Sequence, residues 1–381
     1  MSSSSKAHVA ERRGPLEGLR NMSVQTKHEI LRMAMAIAIG LGIAVVLIVL
    51  TAENPGEALS YFIAAPFMQT MYFSHMVEVI IPLMMTGAAV CIMFSANQFN
   101  LGLEGAIYLG GFVAALSGIY LVPDLPVLGP ALSILLGGLV GFFIIAIPAL
   151  LQYRWKANIV VSTLMMNYLC LYVGLWLLFD KFKDPASSQH TYPIGASAGL
   201  SILVPGTKIH SGLILAVVIV VAAYVLLYRT RFGLSIRMVG QNPSFAKYSG
   251  LGVSGIALVS QLIGGTIGGM TGAVQMLGLY DRFQWTTLTG YGWDGVTMAI
   301  LAHNNPKYLP LAAIFLAYFR TGAWVMSFKA GVQIDLVKVF EGVMILFIMA
   351  EKFLSGTYRK MVFADADRKR KERAAEGSVG A

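Results

Sequence analysis

From residue 31 onward the chain is a succession of long apolar runs, each interrupted by a short polar or glycine-rich stretch. A hydrocarbon core about 30 Å thick takes about 20 helical residues at about 1.5 Å each. On that measure the pattern predicts spans at roughly 31 to 50, 73 to 95, 105 to 122, 130 to 151, 158 to 179, 211 to 228, 252 to 275, 293 to 303, 308 to 327 and 335 to 354. The expected fold is an all-α polytopic membrane protein with about ten transmembrane helices. The run at 293 to 303 is too short to cross and is flanked by Asp294 and Asn304, so it reads as a half-helix or re-entrant segment. Continuous apolar runs of this kind are not the alternating strands of a β-barrel.

One motif occurs twice in this pattern. Phe99-Asn100-Leu101-Gly102-Leu103-Glu104-Gly105 leads into one span and Gly290-Tyr291-Gly292-Trp293-Asp294-Gly295 into another, so Gly-x-acid-Gly recurs around Glu104 and Asp294. An acid beside an apolar run is costly in lipid, and two at corresponding places predict an inverted repeat with broken or re-entrant helices around a polar pathway. Spans two to five and seven to ten would be the repeated units. In a chain with 40 glycines four residues also recur by chance, and the sequence leaves both readings open. Each acid can bind a hydroxylated solute or cap the N-terminus of a half-helix. The expected topology puts Glu104 toward the cytoplasm and Asp294 toward the exterior, which favours two caps with the pathway between them.

Composition supports the membrane assignment: 56% of residues are hydrophobic and 12% charged, with mean hydropathy +0.69, where a soluble domain carries about 25% charged residues. The net charge of +9 raises nucleic acid as a partner, but the basic residues lie between and after the spans. They report topology instead. With the N-terminus inside, most Lys and Arg fall on the cytoplasmic side, while Lys181, Lys183, Lys208, Arg282 and Lys329 fall outside, as the positive-inside rule requires. Both termini are expected in the cytoplasm. The organisation predicted is a basic cytoplasmic segment over 1–30, too long a lead for an ordinary signal peptide, a transmembrane domain over 31–355, and a basic, solvated or lipid-touching cytoplasmic tail over 356–381. Residues 180–210 form the largest exterior loop, a contact for an extracytoplasmic partner.

Candidate chemistry is sparse. The chain has no Walker A lysine followed by Ser or Thr and no HExxH, its histidines are scattered, and Cys91 and Cys170 lie in apolar spans without CxxC spacing. No catalytic, cofactor-binding or metal-ligating residue is expected, and the protein is not read as an enzyme. Gly264, Gly265, Gly268, Gly269 and Gly272 give overlapping small-xxx-small spacings, read first as close helix contact and second as exposed pore backbone. Asn167, beside Met165 and Met166, sits mid-span, where an amide bridges helices or lines a pathway. His75 with Glu78, and Lys338 with Glu341, share i, i+3 spacing for mutual neutralisation; Arg320 has no partner at such spacing. In the loop from Thr230 to Tyr248, Asn242-Pro243 reads as a helix entry. That segment is either a basic interfacial anchor or a docking element presenting Phe245, Ala246 and Tyr248.

Together the stretch Phe99 to Gly105, the run Asn158-Ile159-Val160-Val161-Ser162-Thr163-Leu164-Met165-Met166-Asn167-Tyr168, the loop from Arg231-Phe232-Gly233 to Asn242-Pro243, and Gly290 to Gly295 with Asn304-Asn305-Pro306 resemble the permease subunits of ATP-binding-cassette importers. Within these the chain is similar to the simple-sugar and nucleoside branch, related to the branched-chain amino acid permeases. The resemblance runs through about residues 30 to 355 and departs at Ile159, where a glutamate is expected. It implies a pathway formed with a second permease subunit, identical or different, a cytosolic ABC ATPase that uses ATP, and an extracytoplasmic solute-binding protein. It also implies pathway candidates Asn100, Glu104, Met165, Asn167 and Asp294, and ATPase-coupling candidates Arg237, Gly240, Asn242, Pro243 and Ala246. The rival class is an ion-coupled secondary transporter using Glu104 or Asp294.

Overall fold

The computed structural model describes residues 24–332 apart from 124, 127, 188 and 196, together with 338, 339 and 342. Residues 48–337 form one compact unit; the other comprises Met1–Leu47 and Lys338–Ala381. Among the described residues the structure is helical, with two isolated β-bridges, Lys183 with Thr191 and Ile202 with His210.

Helix α1 (Val24–Thr51) leads to α2 (Pro55–Met68), which begins with Pro55 in its first turn, where a missing N–H costs nothing. The following helices are α3 (Thr70–Ser95), α4 (Leu103–Leu116, continued by a π turn over Ser117–Leu121), α5 (Leu128–Trp155) and α6 (Ile159–Leu177, continued over Leu178–Phe182). A long connection then reaches α7 (Gly212–Arg229), the short α8 (Arg231–Gln241) and α9 (Pro243–Tyr248), and α10 (Val253–Leu279). The last described helices are α11 (Tyr291–Leu301) and α12 (Leu309–Ala330), the latter preceded by a 3-10 turn over Pro306–Tyr308.

Seven of these are long and apolar enough to cross a membrane: Thr70–Ser95, Leu103–Leu121, Leu128–Trp155, Ile159–Phe182, Gly212–Arg229, Val253–Leu279 and Pro306–Ala330. Each coincides with an expected span. In α1 the apolar part among the described residues is the shorter Ala38–Thr51, and α11 has 11 residues, the half-helix that the sequence anticipates. The expected span at 335 to 354 lies outside the described residues except for 338, 339 and 342, and so do Glu341 of the Lys338–Glu341 pair, the 1–23 part of the N-terminal segment and the 356–381 tail. Helix α2 was not among the predicted spans. At 14 residues it falls below the length that marks a crossing, and it packs on α12.

The centre is a three-helix crossing of α4, α5 and α10. Its cause is the glycine pattern. A Cβ on Gly110 of α4 would lie 2.7 Å from the Cα of Gly269, and one on Gly137 of α5 would lie 3.0 Å from the carbonyl oxygens of both Gly110 and Gly269. Backbones therefore touch with nothing between them, the packing that small residues permit in lipid. The direct reading of the α10 glycines is the correct one. Around this crossing the contacts are reciprocal: α3 packs on α11, while α4 packs on α10.

Candidate functional site

The site is built where the chain breaks between α3 and α4. Asn97 adopts a left-handed conformation at φ 56°, which Asn tolerates better than most residues, and residues 98–102 continue without helix. Unpaired backbone at membrane depth is costly, so side chains take over its hydrogen bonds. Asn100 Oδ1 accepts from Gly102 N at 2.9 Å; Asn167 Oδ1 accepts from Gly105 N at 2.9 Å, and its Nδ2 donates to the Leu101 carbonyl at 2.8 Å. The Leu101 N–H donates to Thr163 Oγ1 at 3.2 Å. Both asparagines are buried, and their amides hold the break in shape.

A second layer of amides anchors this break to α5 and α10. Asn100 Nδ2 donates to Gln261 Oε1 at 2.9 Å, Gln261 Nε2 donates to Gln152 Oε1 at 2.9 Å, and Gln152 Nε2 donates to Gln98 Oε1 at 2.9 Å. Sequence reading missed Gln98, Gln152 and Gln261. Each is a single amide at the edge of an apolar run or, for Gln261, within one, and only the fold brings them together.

At the start of α4 the two Gly-x-acid-Gly motifs meet. Glu104 is buried; its Oε1 accepts from Gly292 N at 2.8 Å and Trp293 N at 3.3 Å, and its Oε2 accepts from Gly290 N at 3.1 Å and Thr289 Oγ1 at 3.4 Å. The acid of the first motif thus caps the helix of the second, supplying the acceptor that an open N-terminus and its dipole favour. Gly292 has to be glycine for this approach, since a Cβ there would lie 2.8 Å from Glu104 N.

This geometry corrects the expectation that Glu104 and Asp294 lie at opposite sides of the membrane. The physical reason is the non-helical run from residue 281 to 289. It leaves the end of α10 and carries the chain back to Glu104, where α11, an 11-residue helix of about 16 Å, begins. Asp294 is engaged differently from Glu104. Its two carboxylate oxygens accept from Arg320 Nη1 and Nη2 at 2.6 Å each, a bidentate pair. Arg320, without a partner at helical spacing, finds one across the fold.

The run between α10 and α11 lines an open pocket of about 330 Å³ with Tyr280, Gln284, Trp285, Thr286, Thr287, Leu288, Thr289, Tyr291 and His190. Thr289 stands between this space and Glu104. The connection from 183 to 200 is fastened along the outer side of the run. Thr191 N donates to the Phe283 carbonyl, Phe283 N to Thr191 Oγ1, Ile194 N to the Asp281 carbonyl and Leu200 N to the Leu277 carbonyl. Arg282 Nη1 donates to Asp184 Oδ2 at 2.7 Å. The Ala186 N–H and then Arg282 hold the Asp184 carboxyl below its ordinary value. His210 is buried at the start of α7 with its Nδ1 accepting from Gly212 N at 3.2 Å; burial holds its pKa down.

The remaining predicted residues divide. Met165 is 61% exposed on α6, away from the asparagine cluster. At the opposite end of the unit from the pocket, Asn242 Oδ1 accepts from Phe245 N at 2.9 Å and Pro243 occupies the first turn of α9, the helix entry that the sequence anticipates. Gly240 lies against the Ser95 carbonyl at the end of α3. The Arg237 guanidinium sits 4.7 Å from the centre of the Tyr228 ring. Ala246 is buried, which corrects its expected presentation on the surface, because its side of α9 turns inward. Phe245 at 58% and Tyr248 at 92% exposure are the apolar side chains this element shows. His75 and Glu78 are neighbours as expected, at 3.7 Å.

Comparison with known proteins decides the family. The family described as branched-chain amino acid transport system / permease component matches residues 72–349, most of the chain. The chain belongs to this family. The permease is 29% identical to the glucose ABC transporter permease protein of Haloferax volcanii over 72% of its own length and 74% of that protein. It is 28% identical to the guanosine ABC transporter permease protein NupP of Bacillus subtilis over 77% and 86%. With the nucleoside ABC transporter permease protein NupB of Lactococcus lactis it shares 27% identity over 72% and 77%. No solved structure matches it significantly.

Proposed function

We propose that the permease is the pathway-forming subunit of an ATP-binding-cassette importer for a nucleoside or a related simple sugar. It works with a second permease subunit, a separate cytosolic ATPase that consumes ATP, and an extracytoplasmic binding protein that delivers the solute. The observation that carries this reading is the extended similarity to permeases named for guanosine, nucleosides and glucose. The site geometry supports it against ion-coupled transport, because the acids such a mechanism would use, Glu104 and Asp294, are each saturated by protein donors. The reciprocal packing of α3 on α11 and α4 on α10 supports the inverted-repeat organisation. The face carrying α8 and α9 is taken as cytoplasmic and the 180–210 connection as exterior, in keeping with the basic residues Arg229, Arg231, Arg237 and Lys247 on the former.

Reconstitution with its ATPase and binding protein tests the reading: solute-stimulated ATP hydrolysis and ATP-dependent uptake are expected, and uptake driven by an ion gradient without ATP overturns it. Docking of the ATPase is assigned to the corner at Asn242 with the exposed Phe245 and Tyr248. Replacing Asn242-Pro243 by Ala-Gly removes the cap and the preset first turn, worth about 1 kcal/mol to a helix of this kind. That variant should insert normally yet lose most of the co-purifying ATPase; unchanged assembly and transport refute the assignment.

A further inference from the structure

We propose that the pocket between α10 and α11 is a subsite for an uncharged, hydroxyl-bearing solute with a planar face, and that Glu104 makes it reject anions. The proposal rests on the importer reading above and deepens it. Its first support is the chemistry of the wall. Thr286, Thr287 and Tyr280 line the space, and each carries a hydroxyl, which both donates and accepts, as pairing with sugar hydroxyls requires. Tyr280 and Trp285, which both line the pocket, stand edge to face with ring centres 5.8 Å apart and give its wall an aromatic part. The volume of about 330 Å³ falls within the range of small-molecule clefts, about 300–1,000 Å³.

The second support is charge. None of the described residues lining the pocket is Lys, Arg, Asp or Glu, so a zwitterionic amino acid would find no carboxylate, ammonium or guanidinium partner for either of its charges. The family description names branched-chain amino acids; this pocket does not suit them. An anion would ordinarily be drawn to the N-terminus of α11, which follows in the chain directly on the pocket-lining Thr289. In this chain that position is filled from within, since the N–H groups of Gly290, Gly292 and Trp293 are all taken by Glu104. The protein's own carboxyl group occupies the place a phosphate or carboxylate would take. Thr289 links the two, lining the pocket while donating to Glu104.

The test uses the full-length permease in nanodiscs and in the reconstituted importer, with four probes: guanosine, D-glucose, L-leucine and guanosine 5′-monophosphate. Binding of guanosine or glucose is expected, with leucine and the monophosphate at least tenfold weaker. Thr286→Val with Thr287→Val should weaken binding and ATP-driven uptake of the neutral probe at least tenfold, and Thr287→Ser should retain it. Glu104→Gln, checked for intact folding by size exclusion, should raise monophosphate affinity relative to guanosine at least tenfold; Asp294→Asn, also checked, should not. Equal binding of leucine or monophosphate by the wild-type protein overturns the proposal. So does Glu104→Gln without a change in that ratio, or uptake of a neutral probe that is indifferent to the paired valines. That last outcome leaves the importer reading standing, whereas absence of ATP-driven uptake of either neutral probe brings down the reading itself.

Discussion

At the scale of single residues, the two acids of the repeated motif show how the same local sequence is used in two ways. Glu104 accepts from backbone, Asp294 from a side chain. The Asp294–Arg320 pair is mostly shielded from solvent, with side-chain exposures of 13% and 24%. Removing one partner of such a pair is costly, about 3–5 kcal/mol when burial is complete and less here. Arg320→Ala should lower the thermal unfolding temperature markedly, and combining it with Asp294→Asn should recover part of the loss, because no lone carboxylate then remains. Additive losses in that double-mutant cycle, read from tryptophan fluorescence in detergent, would contradict the pairing. The Arg282–Asp184 clasp gives a pH test with a definite sign. Asp184 is held below its ordinary value of 3.8, so its contribution is present above that value and lost as pH falls through the lowered one. Protease resistance of residues 183–191 should be level from pH 7 to about pH 5 and decline only in stronger acid; a midpoint near neutrality would remove Asp184 as the cause.

At the scale of elements, what could be read in advance depends on whether the partners are local. The α10 glycines were legible because small-xxx-small spacing lies within one helix and dictates a close neighbour whatever that neighbour is. The α9 entry at Asn242-Pro243 was legible for the same reason, since cap and first turn are adjacent in sequence. The amide chain from Asn100 through Gln261 and Gln152 to Gln98 was not, because its members come from three segments far apart in sequence. Helix α2 was passed over because 14 residues give neither a span nor a clear amphipathic stripe. The crossing of α4, α5 and α10 makes its own prediction. A methyl added to Gly269 or Gly272 would run into the Gly137 and Ile107 carbonyl oxygens, and backbone cannot yield as a side chain does. Gly272→Ala should therefore abolish a monodisperse peak in fluorescence-detected size exclusion, whereas Gly255→Ala, which meets nothing within 4 Å, should leave it intact. Equal behaviour of the two would mean that the helices are not in backbone contact.

At the scale of the whole molecule, the positions of seven spans were legible from hydropathy, but the meeting of the two motifs was not. Topology drawn from span counts treats every interruption as a surface loop. The run from 281 to 289 instead returns inward, and only its hydrogen bonds to Glu104 and to residues 191–194 reveal the depth it reaches. Non-helical backbone is tolerated at such depth where it lines a cavity, and this run lines the pocket. The proposed orientation then assigns sides to two surfaces that can be labelled. Cys91 and Cys170 are both buried, so the wild-type protein should react little with a membrane-impermeant maleimide. Tyr248→Cys, at a position 92% exposed on α9, should label in inside-out vesicles and resist in right-side-out ones. Gln284→Cys, on the exposed wall of the pocket, should do the reverse, and guanosine should slow its labelling if that pocket lies on the solute's path. Labelling of both cysteines from the same side would overturn the assignment of the α8–α9 corner to the cytoplasm. It would also separate the pocket from the docking face, because a site that admits solute from outside has to open opposite the surface on which ATP is consumed.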